Sequence, residues 1–270
     1  MSDSTKSRLG LALEAIRRAE FSEAIEILSD LAVENAGSAE VWRELGLCYL
    51  ETSQPGLALE ALLRSLGAGP ADATTHYLLG HAYGSSGQLE PAAACYRSAL
   101  EADPHHAKAE EFLIRTESLL ESREHYRNGL KLLYSPEASA QDLNGAIRDL
   151  VYSAAIFNES PARDNLRECA QRVLAIKSLS VIPVLRSPEL EPWIRACRRG
   201  CYCIRDNNWL GARAAYTEAL DYRAQDDFVH HALGFCFIEW GETGDAVRAW
   251  LRVLELNSEY DFTRFGCVQE

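Results

Sequence analysis

The sequence predicts an all-α fold, a helical-repeat superhelix or solenoid with an irregular helical middle. Three observations carry that expectation. Residues recur at a single period of 34 over most of the chain. Within each period, small and large apolar residues fall three and four apart, which places them on one helix face. Prolines and glycine- or serine-bearing turns break the helical stretches at matching places.

The recurrence is clearest over residues 39–106. Trp42, Leu45, Gly46, Tyr49, Ala58, Leu62, Ser65 and Pro70 map onto His76, Leu79, Gly80, Tyr83, Ala92, Tyr96, Ala99 and Pro104, each 34 positions later. Moving back by 34 gives Arg8, Leu11, Ala12, Ala15, Ala24, Leu28, Leu31 and Ala36, which keep the small and apolar character without the Trp, Gly, Tyr and Pro. Each unit therefore reads as two antiparallel helices. Gly46, Ala58, Gly80 and Ala92 are small enough for close helix approach. Pro70 and Pro104 end the second helix of their units, because proline cannot continue the hydrogen-bond ladder. One such pair cannot bury its own apolar face, so neighbouring pairs must stack.

Residues 107–128 read as one continuous helix with a charged side and an apolar side. Gly129 and Ala146 resemble the small positions of a degenerate unit with about five extra residues between its helices. Helical stretches follow at 143–158 and 161–177, the second with Pro161 in its first turn. The segment SLSVIPVLRSPELEP, 178–192, breaks the pattern and reads as a buried connector. Ser187-Pro188-Glu189 then looks like a helix start. Near the other end, Ala196, Gly200, Cys203, Ala212, Tyr216 and Ala219 map onto His230, Gly234, Phe237, Ala246, Trp250 and Val253, again 34 later. The expected organisation is an N-terminal array over 1–106, an irregular middle over 107–187 and a C-terminal pair with its tail over 188–270.

Composition narrows the function. The chain has 270 residues, 47% hydrophobic and 25% charged, enough to bury a sizeable core. Its formal net charge of −13 disfavours nucleic acid as a general partner. No run approaches the roughly 20 apolar residues of a membrane helix, and Glu14 interrupts the apolar stretch near the start, unlike a signal peptide. Eight scattered cysteines suit a reducing compartment, so the expected location is cytoplasmic. No motif assembles a nucleophile, a base and an oxyanion donor, so no catalytic residue, cofactor or enzymatic activity is expected. In CRRGCYC, Cys197 and Cys201 share a helix face and Cys203 points away, which argues for packing or groove-lining thiols over a metal site. His105 and His106 read as solvated turn residues. Arg195, Arg198, Arg199 and Arg205 form the one basic cluster. It is read either as ordinary pairing with acids such as Asp206 and Glu218 or as a site for an acidic segment.

The pattern W-x2-L-G-x2-Y, then Ala, an aromatic and Pro, at a 34-residue period, resembles the tetratricopeptide repeat. Residues 39–106 match it closely, and 5–38 and 193–260 match it well. The resemblance implies a superhelix whose first helices line a concave, protein-binding surface. Its lining positions would be Arg43 and Leu47, Tyr77 and His81, Cys197 and Cys201, and His231 and Phe235. Chaperone-binding members of the family hold a carboxylate with Lys and Asn in the first repeat. Leu9 and Leu13 stand there, which argues against a heat-shock chaperone tail. The expected role is a non-catalytic adaptor or scaffold that binds a partner peptide or amphipathic helix. The alternatives are a regulatory subunit of a partner enzyme and a cysteine-based metal or redox module. In the C-terminal pair, Phe228, His231, Phe235 and Ile238 form one stripe, faced by Ile194, Cys197 and Cys201, with Arg198 and Arg205 near the rim. An apolar stripe is costly to leave in water. The expected cover is a partner segment, the connector around Val181–Leu185, or a second copy in a homo-oligomer.

Overall fold

The computed structural model describes residues 3–34, 38–70, 72–156, 161–175, 179–182, 191–263 and 265–268. Two compact units divide between Leu120 and Glu121. In the first unit, six helices form three antiparallel pairs: α1 (Asp3–Arg17) with α2 (Phe21–Glu34), α3 (Ala39–Glu51) with α4 (Pro55–Ala68), and α5 (Ala73–Ser85) with α6 (Leu89–Ala102). A long helix, α7 (Ala107–Leu133), starts in the first unit and ends in the second.

The sequence period reappears as repeated contacts. An added Cβ at Gly80 would sit 2.5 Å from the Tyr96 ring, and one at Gly46 would sit 2.5 Å from Leu62. Both glycines exist because their helix must approach the next one to this distance. The turn inside each pair also repeats. Ala19, Ser53 and Gly87 all have left-handed backbones, with φ of 60°, 58° and 74°. The following residue donates back across the turn: Glu20 to Ala15, Gln54 to Tyr49 and Gln88 to Tyr83, at 2.8–2.9 Å. That geometry satisfies carbonyls left over at the end of a helix. Ser38 and Asp72 cap α3 and α5 by accepting from Val41 N–H and Thr75 N–H. Pro70 and Pro104 stand two residues past the ends of α4 and α6.

The second unit holds the end of α7, then α8 (Ala140–Ile156), α9 (Ala162–Ala175), α10 (Glu191–Arg205), α11 (Trp209–Tyr222), α12 (Asp227–Glu239) and α13 (Thr243–Leu256). The close packing continues here, with Gly200 against Tyr216 and Gly234 against Trp250. Gly129 packs on Leu150 and the Ala146 carbonyl, so the end of α7 and α8 pair as a degenerate repeat. Asn207 and Gly241 repeat the left-handed turn. The stacking order departs from chain order. α12 packs against α11 and α9, and α13 packs against α8 and α9. The last pair therefore touches both earlier ones, although α8 and α9 precede α10 in sequence. The irregular middle from Glu121 onward and the C-terminal pair share one unit.

One element departs from an all-helical reading. Within the expected connector, β1 (Leu179–Ile182) pairs in parallel with β2 (Phe265–Val268), Leu179 opposite Phe265, and β2 also contacts α10. Residues 183–190, which include the expected helix start at Ser187, lie outside the described residues. Among the described residues, no helix is long and apolar enough to cross a membrane.

Candidate partner-binding surfaces

In the first unit, α3 and α5 carry Arg43, Leu47, Tyr77 and His81, all half-buried. The Arg43 guanidinium pairs with Glu44 at 2.9 Å and Asp72 at 2.7 Å. Asp72 also accepts from the Thr75 N–H and hydroxyl, each at 2.7 Å. Burial works against ionisation of Asp72, but these hydrogen bonds and Arg43 outweigh it and hold its pKa below the ordinary value. Arg43 is likewise raised: burial opposes its charge, and Glu44 and Asp72 more than compensate.

Beside this polar bridge lies a ring cluster. The Tyr77 ring centroid is 6.3 Å from His81, 5.1 Å from His106 and 5.9 Å from Phe112, and His81 meets Phe112 edge-on at 5.5 Å. Burial, with Glu111 and Glu51 nearby, pushes the Tyr77 hydroxyl up. His106 is thus half-buried against Tyr77 and accepts from the Ala109 N–H through Nδ1 at 3.1 Å, so it is not the solvated turn residue expected. Sequence reasoning missed Phe112 as part of this face. Its signal was present, because Phe112 falls one repeat period after the buried Leu78.

In the second unit, Ile194, Cys197, Cys201, Phe228, His231 and Phe235 do come together, but as core. Each is buried, and the chain itself supplies the cover. The His231 ring lies 5.1 Å from Tyr260 and 5.4 Å from Phe262. Phe262 N–H donates to Asn144 Oδ1 at 2.7 Å, which ties this tail to α8. The cover expected from a partner segment, the connector or a second copy is corrected at His231, where the chain's own Tyr260 and Phe262 supply it. The signal for this was the repeat itself. Phe228 meets the Tyr216 ring at 6.2 Å and 80°, and Phe262 meets the Trp250 ring at 6.3 Å and 81°, both partners shifted by one period. The tail thus continues the repeat register for one more step.

The basic cluster shows the pairing read as its ordinary alternative. Arg199 pairs with Glu218, and Arg205 with Asp206 at 3.3 Å, while the Arg205 guanidinium lies over Tyr202 at 5.0 Å. Arg198 is half-buried. Arg195, Arg199 and Tyr202 are exposed where Val229, Leu233 and Cys236, one period on, are buried. α10 is the first helix of the α10–α13 stack, and among the described residues its main packing partners are α11 and β2. Burial raises the thiols of Cys48, Cys169 and Cys236 to about 12 and pushes Cys197 higher still. Cys201 Sγ lies 3.3 Å from the Tyr216 hydroxyl. Among the described residues, no three His, Cys, Asp or Glu side chains are grouped to hold a metal ion. Sequence reasoning also missed the contact of His125 Nδ1 with Asp149 at 2.8 Å, which joins α7 to α8.

Tetratricopeptide-repeat family profiles match residues 9–73 and 73–106, the same stretch in which glycine packing, turns and caps recur once per period. Residues 9–106 are tetratricopeptide repeats. Beyond residue 106, the repeat character of α10–α13 rests on Gly200, Gly234 and the turns at Asn207 and Gly241. No curated protein matches this sequence. Among solved structures, the P58(IPK) TPR domain is 14% identical with a TM-score of 0.47. The alignment covers 96% of this chain and 63% of that one, so this chain spans less than two thirds of it. The TPR2AB-domain:pHSP90 complex of yeast Sti1 is 15% identical, with a TM-score of 0.44 and coverage of 96% and 93%. MamA is 14% identical, with a TM-score of 0.38 and coverage of 96% and 94%.

Proposed function

We propose that this chain is a non-catalytic adaptor that binds a segment of another protein on the face formed by Arg43, Leu47, Tyr77 and His81. A tetratricopeptide-repeat fold is an interaction scaffold in general. The observation that carries the finer reading is the contrast between the units. In the second unit the equivalent residues Cys197, Cys201, His231 and Phe235 are buried, whereas these four remain half-exposed. The Arg43–Asp72 bridge and the Tyr77–His81–Phe112 cluster hold the face in one arrangement, which lowers the ordering cost of binding. A partner segment with apolar side chains for Leu47 and the rings, and a polar group for Arg43, fits this surface.

The test is quantitative cross-linking in the native host, comparing wild type with Leu47→Glu and Tyr77→Ala. Expected is loss of a defined partner set with both variants, while far-UV circular dichroism is unchanged. Retention of every partner by two folded variants would remove this face from the function.

A further inference from the structure

The first unit contains a cavity of about 380 Å³ that none of Arg43, Leu47, Tyr77 or His81 lines. Its walls come from α2, α3 and α4, chiefly Ala32, Val33, Trp42, Tyr49, Leu57 and Arg64. The cavity has a cause in the sequence. Ala32 follows Ala12, the small residue of its pair, at the same offset by which Leu66, Leu100, Leu220 and Leu254 follow Gly46, Gly80, Gly200 and Gly234. Four pairs thus place a leucine where the first places an alanine. Leu254 is buried, and Leu66 and Leu220 pack against the apolar clusters of their units. Replacing leucine by alanine at a packed position leaves a void, because the surroundings relax only in part.

The mouth of the void is apolar as well. Val33 is 85% exposed and Leu57 44% exposed. The Arg64 guanidinium sits 4.8 Å above the Trp42 ring and donates to Glu60 at 2.7 Å, so a charged pair stands at the rim of an apolar floor.

We propose that this cavity accepts one leucine- or phenylalanine-sized side chain from a partner protein, a docking point separate from the Arg43–His81 face. The occupant is read from the other pairs, where the chain's own leucine takes the corresponding position. Val33 and Leu57 extend the apolar contact past the cavity, which suits a peptide segment with neighbouring residues better than a lone small molecule. The Glu60–Arg64 pair is exposed and weakly held, so both groups are available to polar atoms of the segment that flank the anchor.

The test uses a random peptide library displayed on phage and panned against the full chain. Enriched peptides are measured against wild type, Ala32→Leu, Val33→Asp and Tyr77→Ala. Ala32→Leu restores the residue of the other pairs and fills the void. Val33→Asp charges an exposed rim position. Expected are peptides that share one large apolar residue and lose at least about tenfold in affinity on both cavity variants, yet bind Tyr77→Ala as wild type. A raised melting temperature of Ala32→Leu would accompany this. Should Ala32→Leu fail to fold, Val33→Asp and alanine substitution of the peptide's anchor carry the same comparison. Enriched peptides that bind the cavity variants as tightly as wild type, or a selection in which no peptide depends on the cavity, would overturn the proposal.

Discussion

Gly80→Ala tests the repeat packing most directly. The added methyl would lie 2.5 Å from Cε1, 2.6 Å from Cδ1 and 3.0 Å from Cζ of Tyr96. Real Cβ atoms do not approach ring carbons this closely, so the ring or the helix must move. The Tyr96 ring is buried and packs against Tyr77 and Phe112, at 6.1 and 5.9 Å between centroids, so it cannot swing aside without displacing them. Overpacking of this kind costs about 1–3 kcal/mol. Alanine is favoured over glycine within a helix by about 1 kcal/mol, which offsets part of that cost. The net expectation is a loss of about 1–2 kcal/mol. Gly67→Ala, near the end of α4, supplies the control, since nothing lies within 4 Å of a Cβ there. That change should stabilise by up to about 1 kcal/mol. Urea unfolding followed by far-UV circular dichroism reads both. If Gly80→Ala proves as stable as Gly67→Ala, close approach at Gly80 is not what holds α5 against α6.

Two further substitutions address the second unit. Phe262 is fully buried against His231 and Trp250, so Phe262→Ala should cost about 3–5 kcal/mol by the same unfolding measurement; a loss below about 0.5 kcal/mol, typical of an exposed site, would show that the tail does not cover α12. Burial holds the His231 pKa at about 3 despite the opposing charge of Asp261, against about 6.5 in the unfolded chain. Between those values the unfolded chain binds a proton that the folded chain does not, so this contribution is complete above about pH 6.5 and declines as pH falls toward the folded value. At about pH 4.5 the loss is about 3 kcal/mol. His231→Phe should flatten that part of the profile, and an identical acid dependence in wild type and variant would refute the assignment.

The helix pairs were legible in the sequence because their determinants are local and repeated. Gly46 with Leu62 and Gly80 with Tyr96 lie within one unit, and the turn residues Ser53 and Gly87 sit at the same offset in each. Such contacts write themselves into the chain as a period. The Arg43 bridge was less legible. Its position was readable from the resemblance, but its partner Asp72 is a helix cap in the next repeat, and nothing periodic marks a charge that serves two roles. The pairing of Leu179–Ile182 with Phe265–Val268 was not legible, because it joins segments on either side of four helices and neither carries an alternating pattern of its own.

The apolar stripe on α12 shows how a correct physical premise can miss its occupant. Phe228, His231 and Phe235 cannot remain in water at low cost, and the structure agrees that they are covered. The stripe says how much apolar area must be removed from solvent and nothing about which segment removes it. In a repeat stack, the next pair normally does so, and here no further pair follows α13 among the described residues. Phe262, in register with Phe228, takes over the first contact of that missing pair, and Tyr260 closes on the His231 ring. The end of a stack is thus where a periodic sequence is least informative: its last apolar face must be closed by something that does not complete another period. On the function proposed above, the same reasoning separates the two units. A face already closed by its own chain has little free energy left to offer a partner, whereas the half-exposed residues of α3 and α5 and the void left by Ala32 still do.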